Sequence, residues 1–178
     1  WHIHPNAPVL TAGMIKEKFE PIPTSIQPAQ NASVKFYPTI WPKAHEVKVK
    51  LTSQEELYGV FDGRAIAYVP VEIAAGLVPG TTVQVTLAIT YQACNEKGCQ
   101  LPVDTEQSVT FTVVDAAKVT AGSKPDPDFK DFDTAAFNAK PGTGQAVRAA
   151  AKPVKFSAFG IVFEIDPAGF GLVLLLLV

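Results

Sequence analysis

The chain contains two cysteines, Cys94 and Cys99, with four residues between them. Gly98 can adopt the positive φ that folds so short a loop back on itself, and the spacing therefore predicts that the two sulfurs can form a disulfide. Closing such a small loop stabilises a fold by only about 2 kcal/mol, and a bond placed for stability gains more by joining distant segments. The small gain in stability favours redox chemistry, but the spacing alone is equally compatible with a purely structural bridge, and both alternatives stay open.

Two histidines, His2 and His4, form a His-x-His pattern at the start of the chain. A metal site needs three or four convergent ligands, and two cysteines with no histidine close by in sequence supply half of a zinc ligand set. We therefore interpret the two imidazoles as the polar face of a strand, and we expect no bound metal or other cofactor. A copper site that combines both histidines with the thiols is a third, minor alternative.

Two predicted strands flank the cysteines. Apolar and polar residues alternate over 83–90 and again over 108–113, which is the period-two pattern of a strand with one buried face. The cysteine loop connects these strands. We therefore predict that Cys94 and Cys99 both lie at the protein surface.

The rest of the first 114 residues is also typical of short strands joined by turns. Five prolines between residues 21 and 42 disfavour helix, and Asp62-Gly63 is a strong hairpin-turn signal. Short strands at this spacing, without a convincing helix, predict an all-β domain. Its expected architecture is an antiparallel β-sandwich over residues 1–114.

Length and composition limit the function classes. A chain of 178 residues with 47% hydrophobic residues can bury one core of ordinary size and carry an appendage. The 15 basic and 17 acidic residues give a net charge of -2, and neither sign forms a long run. The charge pattern therefore gives no indication of nucleic-acid binding.

The composition changes after Val114. Residues 115–155 are rich in proline, glycine and aspartate and are predicted to be a linker, with a short helix near 134–139 or 145–151. Residues 156–178 are interpreted as a membrane-proximal segment. Its last eleven residues are almost wholly apolar and, at about half the length of a bilayer-spanning helix, resemble the opening of one. We expect the chain to be a fragment that lacks earlier strands before Trp1.

Three segments carry a resemblance to a known family. They are Tyr91-Gln92-Ala93-Cys94, with Cys99 and Pro102 after it; Glu55-Glu56-Leu57-Tyr58-Gly59; and Trp1-His2-Ile3-His4-Pro5. Together they resemble the N-terminal periplasmic domain of the transmembrane thiol:disulfide interchange protein DsbD, also called protein-disulfide reductase. The resemblance covers roughly residues 1–114.

The resemblance implies an immunoglobulin-like fold and a redox-active disulfide between Cys94 and Cys99. It implies that Cys99 forms the mixed disulfide with a partner and that Cys94 resolves it. The segment Glu55, Glu56, Leu57, Tyr58 and Gly59 would be a cap loop over the sulfurs, with Leu57 where the family commonly has phenylalanine. His2, His4, Tyr91, Gln92 and Pro102 would lie next to the site.

The function implied by the resemblance is thiol:disulfide exchange at the periplasmic face of the bacterial inner membrane. The domain would receive electrons from a membrane reductase through a thioredoxin-like domain and pass them to disulfide isomerases and cytochrome c maturation proteins. The C-terminal segment would enter the membrane. The alternative is a non-catalytic immunoglobulin-like binding module with a structural disulfide.

Overall fold

The computed structural model of the chain describes residues 1–115, 117, 127–142, 154–158 and 161–165. Nearly all regular structure in these residues is β-strand, and every strand pair among them is antiparallel. The prediction of an all-β antiparallel protein is therefore confirmed.

The elements are named in chain order. The strands are β1 (His2–Ile3), β2 (Ser25–Pro28), β3 (Val34–Phe36), β4 (His45–Val49), β5 (Glu56–Asp62), β6 (Val71–Ile73), β7 (Thr82–Tyr91), β8 (Ala93–Asn95), β9 (Gly98–Cys99), β10 (Val103–Thr112), β11 (Val154–Ala158) and β12 (Ile161–Ile165). Helix α1 spans Ala12–Glu17, and two 3-10 helices span Pro127–Phe129 and Thr134–Asn138.

The largest sheet has five strands in the order β4-β5-β1-β8-β9. One core cluster belongs to this sheet and to α1: Met14, Val49, Tyr58 and Val60 are buried, and Phe19, Val47 and Leu51 pack against them. The order places β8 inside the sheet and β9 at its edge. This difference between two adjacent short strands sets the environment of the cysteines.

The second sheet contains the two strands predicted to flank the cysteines. Its order is β10-β7-β2, and β7 pairs with β10 over ten residues, from Val103 opposite Tyr91 to Thr112 opposite Thr82. The alternating pattern thus identified both strands correctly. The buried face of this second sheet packs against the β3–β6 pair. Together they form a second core cluster of Val34, Phe36, Val83 and Val85.

Helix α1 was not predicted from the sequence. The hydroxyl oxygen of Thr11 caps it by accepting a hydrogen bond from the Met14 amide at 3.2 Å. The Glu56 carboxylate accepts two more, from the Thr11 hydroxyl at 2.6 Å and the Gly13 amide at 2.9 Å. Six residues are too few for a helical period to be visible, and the helix depends on a carboxylate more than forty residues away in sequence.

Residues 127–142 pack against the domain, so the linker interpretation is wrong for this part. Four aromatic contacts involve Tyr37, Tyr68, Phe129, Phe132 and Phe137. The Tyr68 hydroxyl donates to the Asp128 carbonyl at 2.6 Å, and Gly142 forms a backbone bridge with Phe36. The 3-10 helix at Thr134–Asn138 confirms the first of the two predicted short helices; the second, at 145–151, lies outside the described residues.

Strands β11 and β12 pair with each other in antiparallel fashion, where the sequence predicted the end of the linker and a membrane-proximal segment. The predicted start of a transmembrane helix, Ala168 to Val178, lies outside the described residues. Among those that are described, no helix is long and apolar enough to cross a membrane.

Candidate functional site

The two cysteines face each other across the β8–β9 hairpin and form a disulfide. Glu96 and Lys97 make the two-residue turn, where the Lys97 amide donates to the Asn95 side-chain oxygen at 2.8 Å. Gly98 has φ of 144°, as predicted for a loop that folds back on itself. The Cα atoms of the cysteines are 4.0 Å apart, close to the separation of a directly opposed pair in an antiparallel ladder.

The hairpin leaves the sheet of its flanking strands and joins the other one. β8 pairs with β1, so that His2 lies opposite Cys94 and Ile3 opposite Ala93. Gln92 stands where the chain changes sheets, and its side-chain amide donates to the Gln100 carbonyl at 2.9 Å. Gln92 therefore holds together the two chain segments from which the cysteine hairpin projects.

The two sulfurs have unequal environments. Cys94 is fully buried, whereas Cys99 is half-buried. The prediction that both cysteines lie at the surface is therefore wrong for Cys94. The two positions differ in their neighbours: β8 lies between β1 and β9 and has the His4 ring against the Cys94 sulfur, whereas β9 is an edge strand.

Cys94, His4 and Tyr58 form a chain of three hydrogen-bonding side chains. The Nε2 atom of His4 is 3.3 Å from the Cys94 sulfur, and the Nδ1 atom of the same ring is 3.1 Å from the Tyr58 hydroxyl oxygen. His4 and Tyr58 are both buried. The predicted proximity of His4 to the disulfide is confirmed. The hydrogen bond between Tyr58 and the far side of the His4 ring was not predicted.

The tautomer of His4 follows from its neighbours. A disulfide sulfur can only accept a hydrogen bond, so Nε2 carries the hydrogen and Nδ1 accepts from the Tyr58 hydroxyl. Burial, together with the nearby His2, lowers the pKa of His4 to about 4, partly opposed by Gln92. Burial raises the pKa of Tyr58 to about 12. At neutral pH the buried pair is therefore uncharged and acts through oriented hydrogen bonds.

Stability should consequently fall in mild acid. The unfolded chain binds a proton at His4 below its ordinary pKa of 6.5, whereas the folded chain does so only near 4. Stability due to this residue is therefore present above 6.5 and is lost as the pH falls towards 4. The loss is about 3 kcal/mol. Urea denaturation gives the free energy of unfolding of the parent and of His4→Gln at each pH. We expect the difference, parent minus variant, to decrease by about 3 kcal/mol as the pH falls from 6.5 towards 4.

Other acid-sensitive groups contribute equally to the parent and to His4→Gln. Their contribution therefore cancels when the free energy of unfolding of the variant is subtracted from that of the parent. His2 also has a lowered pKa, due to burial and the positive N-terminus and opposed by Asp62, so the same subtraction with His2→Gln measures its separate contribution. A difference between parent and His4→Gln that stays constant with pH would contradict the assigned environment of His4.

The segment predicted to be a cap loop is part of the sheet. Glu55 directly precedes β5, and Glu56 to Gly59 lie within it, paired residue by residue with β4. Leu57 is 60% exposed and Tyr58 is 2% exposed, because neighbouring residues of a strand point to opposite faces. The prediction that this segment is a mobile cap loop is therefore wrong. A strand that is hydrogen-bonded to its neighbour cannot swing away from the site as a loop does.

The members of this segment have other roles. Glu55 forms an ion pair with Lys48 at 3.4 Å, and Glu56 binds the start of α1 as described above. Tyr58 reaches His4. The signal for a strand was present in the sequence, since Tyr58 and Val60 are apolar at a spacing of two.

The remaining predicted site residues lie at the margins. Tyr91 is the last residue of β7, and Pro102 immediately precedes β10, so both are at the base of the hairpin. His2 lies beside Cys94 in register, but its buried Nε2 has no hydrogen-bond partner among the described residues. An open groove of about 490 Å³ runs beside the hairpin turn, with Trp1, Lys48 and Lys97 in its wall.

The described residues contain one group of side chains that could hold a metal ion. It consists of His4, Cys94 and Cys99, whose donor atoms all lie within 4.8 Å of one another. We expected no metal site because no histidine lies near the cysteines in sequence. The pairing of β1 with β8 nevertheless brings His4 close to them in space. His2 is not a member of the group.

Comparison with family models, with curated proteins and with solved structures found no match. The resemblance to the DsbD family therefore stays a prediction.

Proposed function

We propose that Cys94 and Cys99 form a redox-active disulfide and that residues 1–114 are a thiol:disulfide exchange module with an immunoglobulin-like sandwich fold. The observation that carries this proposal is the unequal environment of the two sulfurs. Cys99 is half-buried on an edge strand, and Cys94 is buried with His4 at 3.3 Å. Exchange needs one sulfur that a partner can reach and one that is held in place to resolve the intermediate.

In the first step, the Cys99 thiolate of the reduced domain attacks an oxidised partner. A bond forms between Cys99 and one partner sulfur, and the other partner sulfur leaves as a thiolate. The Cys94 thiolate then attacks the Cys99 sulfur, the mixed bond breaks, and the partner leaves with its second thiolate. The partner has gained two electrons, and the Cys94–Cys99 disulfide has re-formed.

His4 supports the second step as a positioning residue. Its Nε2–H can donate to the sulfur of Cys94, and a hydrogen bond to the charged form of a group favours that form. The Tyr58 hydroxyl fixes the ring so that this donor points at the sulfur. The thiolate of Cys94 is thereby favoured in a buried place where it would otherwise be disfavoured.

The proposed setting follows the resemblance. The module would be reduced through a thioredoxin-like domain of a membrane reductase at the periplasmic face of a bacterial inner membrane, and it would reduce periplasmic thiol:disulfide proteins. In that setting it would be one domain of a protein-disulfide reductase and would need no bound cofactor. The edge position of β9 supports access by such partners.

The competing function is an immunoglobulin-like binding module with a structural disulfide. One observation favours it: Cys94 is fully buried, as is usual for structural bridges. Against it, the bond joins facing residues of one hairpin, five positions apart, where a staple contributes little.

The test is reduction of the folded protein by an excess of reduced thioredoxin in native buffer. We expect two free thiols per molecule by alkylation and mass spectrometry, with an unchanged near-ultraviolet circular dichroism spectrum. The control is reduction by a small dithiol in denaturant, where either kind of bond is reduced. A bond that persists in the folded protein and opens only in denaturant would favour the structural alternative.

A further inference from the structure

We propose that the reduced domain binds one cuprous ion through three ligands: the sulfurs of Cys94 and Cys99 and the Nε2 atom of His4. The three donor atoms already lie within 4.8 Å of one another in the disulfide form. The site needs the bond to be reducible, but it does not need electron transfer to a partner. It is therefore a second activity of the same residues and goes beyond the proposed exchange function.

The distances suit a shared ion. A metal–sulfur bond of about 2.3 Å and a metal–nitrogen bond of about 2.0 Å place the sulfur and nitrogen ligands of one ion roughly 3.5 to 3.7 Å apart, so the contact in the disulfide form has to widen by only a few tenths of an ångström. The Cys94 sulfur and Nε2 of His4 are 3.3 Å apart. Breaking the sulfur–sulfur bond lets Cys99, on the edge strand, move to a similar distance from both.

The chemistry of the donors selects the metal. Two thiolates and one imidazole form a soft set without a carboxylate, and thiolate sites prefer Cu(I), zinc and iron–sulfur clusters. Structural zinc takes four ligands. His4 and Cys94 are fully buried, so only the side of Cys99 is open to a further ligand. Burial around His4 and Cys94 leaves little room for a fourth ligand. A site with three ligands therefore favours Cu(I) over structural zinc.

Tyr58, the residue behind His4, also favours metal binding by the imidazole. Metal-binding histidines almost always donate their other ring N–H to an oxygen, which fixes the ring and makes the ligand nitrogen more basic. Here Nδ1 lies 3.1 Å from the Tyr58 hydroxyl. That hydroxyl donates to Nδ1 in the disulfide form and can accept from Nδ1–H when Nε2 binds the ion, because a hydroxyl does both.

The reaction balances in two steps. A dithiol reductant gives two electrons and two protons to the Cys94–Cys99 bond and is itself oxidised to a disulfide. Cu(I) then displaces the two thiol protons and accepts the lone pair of His4 Nε2, with no change in its oxidation state. The bound ion and two thiolates carry one net negative charge.

The experiment uses the full chain, reduced chemically and freed of reductant under anaerobic conditions. Cu(I) is added as its acetonitrile complex, and bicinchoninate competes for the metal. We expect one equivalent to be retained by the parent. Tyr58→Phe should weaken binding about tenfold or more, and His4→Gln should weaken it further. His2→Gln is the matched control and should bind as the parent does.

X-ray absorption of the parent complex makes the test independent of the folding of any variant. Two sulfur neighbours and one nitrogen neighbour are expected around copper. Sulfur neighbours alone, or equal affinity of the parent and a folded His4→Gln, would overturn the assignment of His4. Failure to retain copper would overturn the site. Equally tight binding of Zn(II), measured against a zinc chelator, would overturn its preference for Cu(I). The copper experiment opens the disulfide with a chemical reductant. Its outcome therefore does not depend on whether thioredoxin can reduce the bond in the folded protein.

Discussion

Cys94→Ser is expected to accumulate a covalent adduct with an oxidised partner, and Cys99→Ser is expected to accumulate little or none. The reason is access: a partner can reach the half-buried Cys99 at the sheet edge, whereas Cys94 has no exposed surface. In Cys94→Ser the mixed disulfide at Cys99 cannot be resolved and therefore persists. In Cys99→Ser the remaining thiol is shielded by β1 and His4.

The measurement is non-reducing electrophoresis after mixing each reduced variant with an oxidised thioredoxin-fold protein in molar excess. The double variant Cys94→Ser/Cys99→Ser gives the background. An adduct seen only with Cys99→Ser would reverse the two roles and would mean that the buried sulfur becomes accessible after reduction. Equal adducts from both single variants would contradict the argument from burial.

Tyr58→Ala is expected to destabilise the domain by about 3 to 5 kcal/mol, the usual loss when a large buried aromatic side chain is removed. Tyr58 is 2% exposed and belongs to the core cluster with Met14, Val49 and Val60. Its removal also leaves Nδ1 of His4 without a partner. Leu57→Ala, one position away but 60% exposed, should change stability by less than about 1 kcal/mol.

Urea denaturation of the two variants measures this contrast, and Tyr58→Phe separates the hydroxyl from the ring. A second readout tests the cap-loop interpretation directly. Because Leu57 lies on the outer face of β5, Leu57→Ala should leave the rate of disulfide reduction by a small thiol unchanged. A clear acceleration, with stability unchanged, would restore a lid role for Leu57. A small effect of Tyr58→Ala on stability would contradict its place in the core.

The sequence predicted the features that depend on neighbouring residues. The alternation over 83–90 and 108–113 identified β7 and β10, since a half-buried strand imposes that period on its own residues. Gly98 and the spacing of the cysteines indicated the turn and the disulfide. The resemblance placed His4 near the cysteines.

The features that the sequence did not predict depend on pairing between distant segments. No local pattern reveals that the hairpin of Cys94 and Cys99 leaves its own sheet and pairs with β1, about ninety residues earlier in the chain. That pairing decides which sulfur is buried, and it brings His4 against Cys94. Strand β5 was taken for a loop because Glu56, which binds α1, and Gly59 weaken its apolar alternation.

The packing of residues 127–142 was missed for a different reason. Proline, glycine and aspartate are typical of linkers, and the composition of this segment conceals three aromatic residues that lie against Tyr37 and Tyr68. The contacts are between side chains far apart in sequence. Aromatic residues within an otherwise polar segment were the available signal.

The equilibrium reduction potential of the Cys94–Cys99 bond tests the central claim most directly. It is measured in dithiol redox buffers of graded composition, with the two forms separated by alkylation and mass spectrometry. The account predicts a potential above about -300 mV, in the range of bonds that exchange with protein partners. A potential well below about -300 mV, where structural disulfides lie, would contradict it.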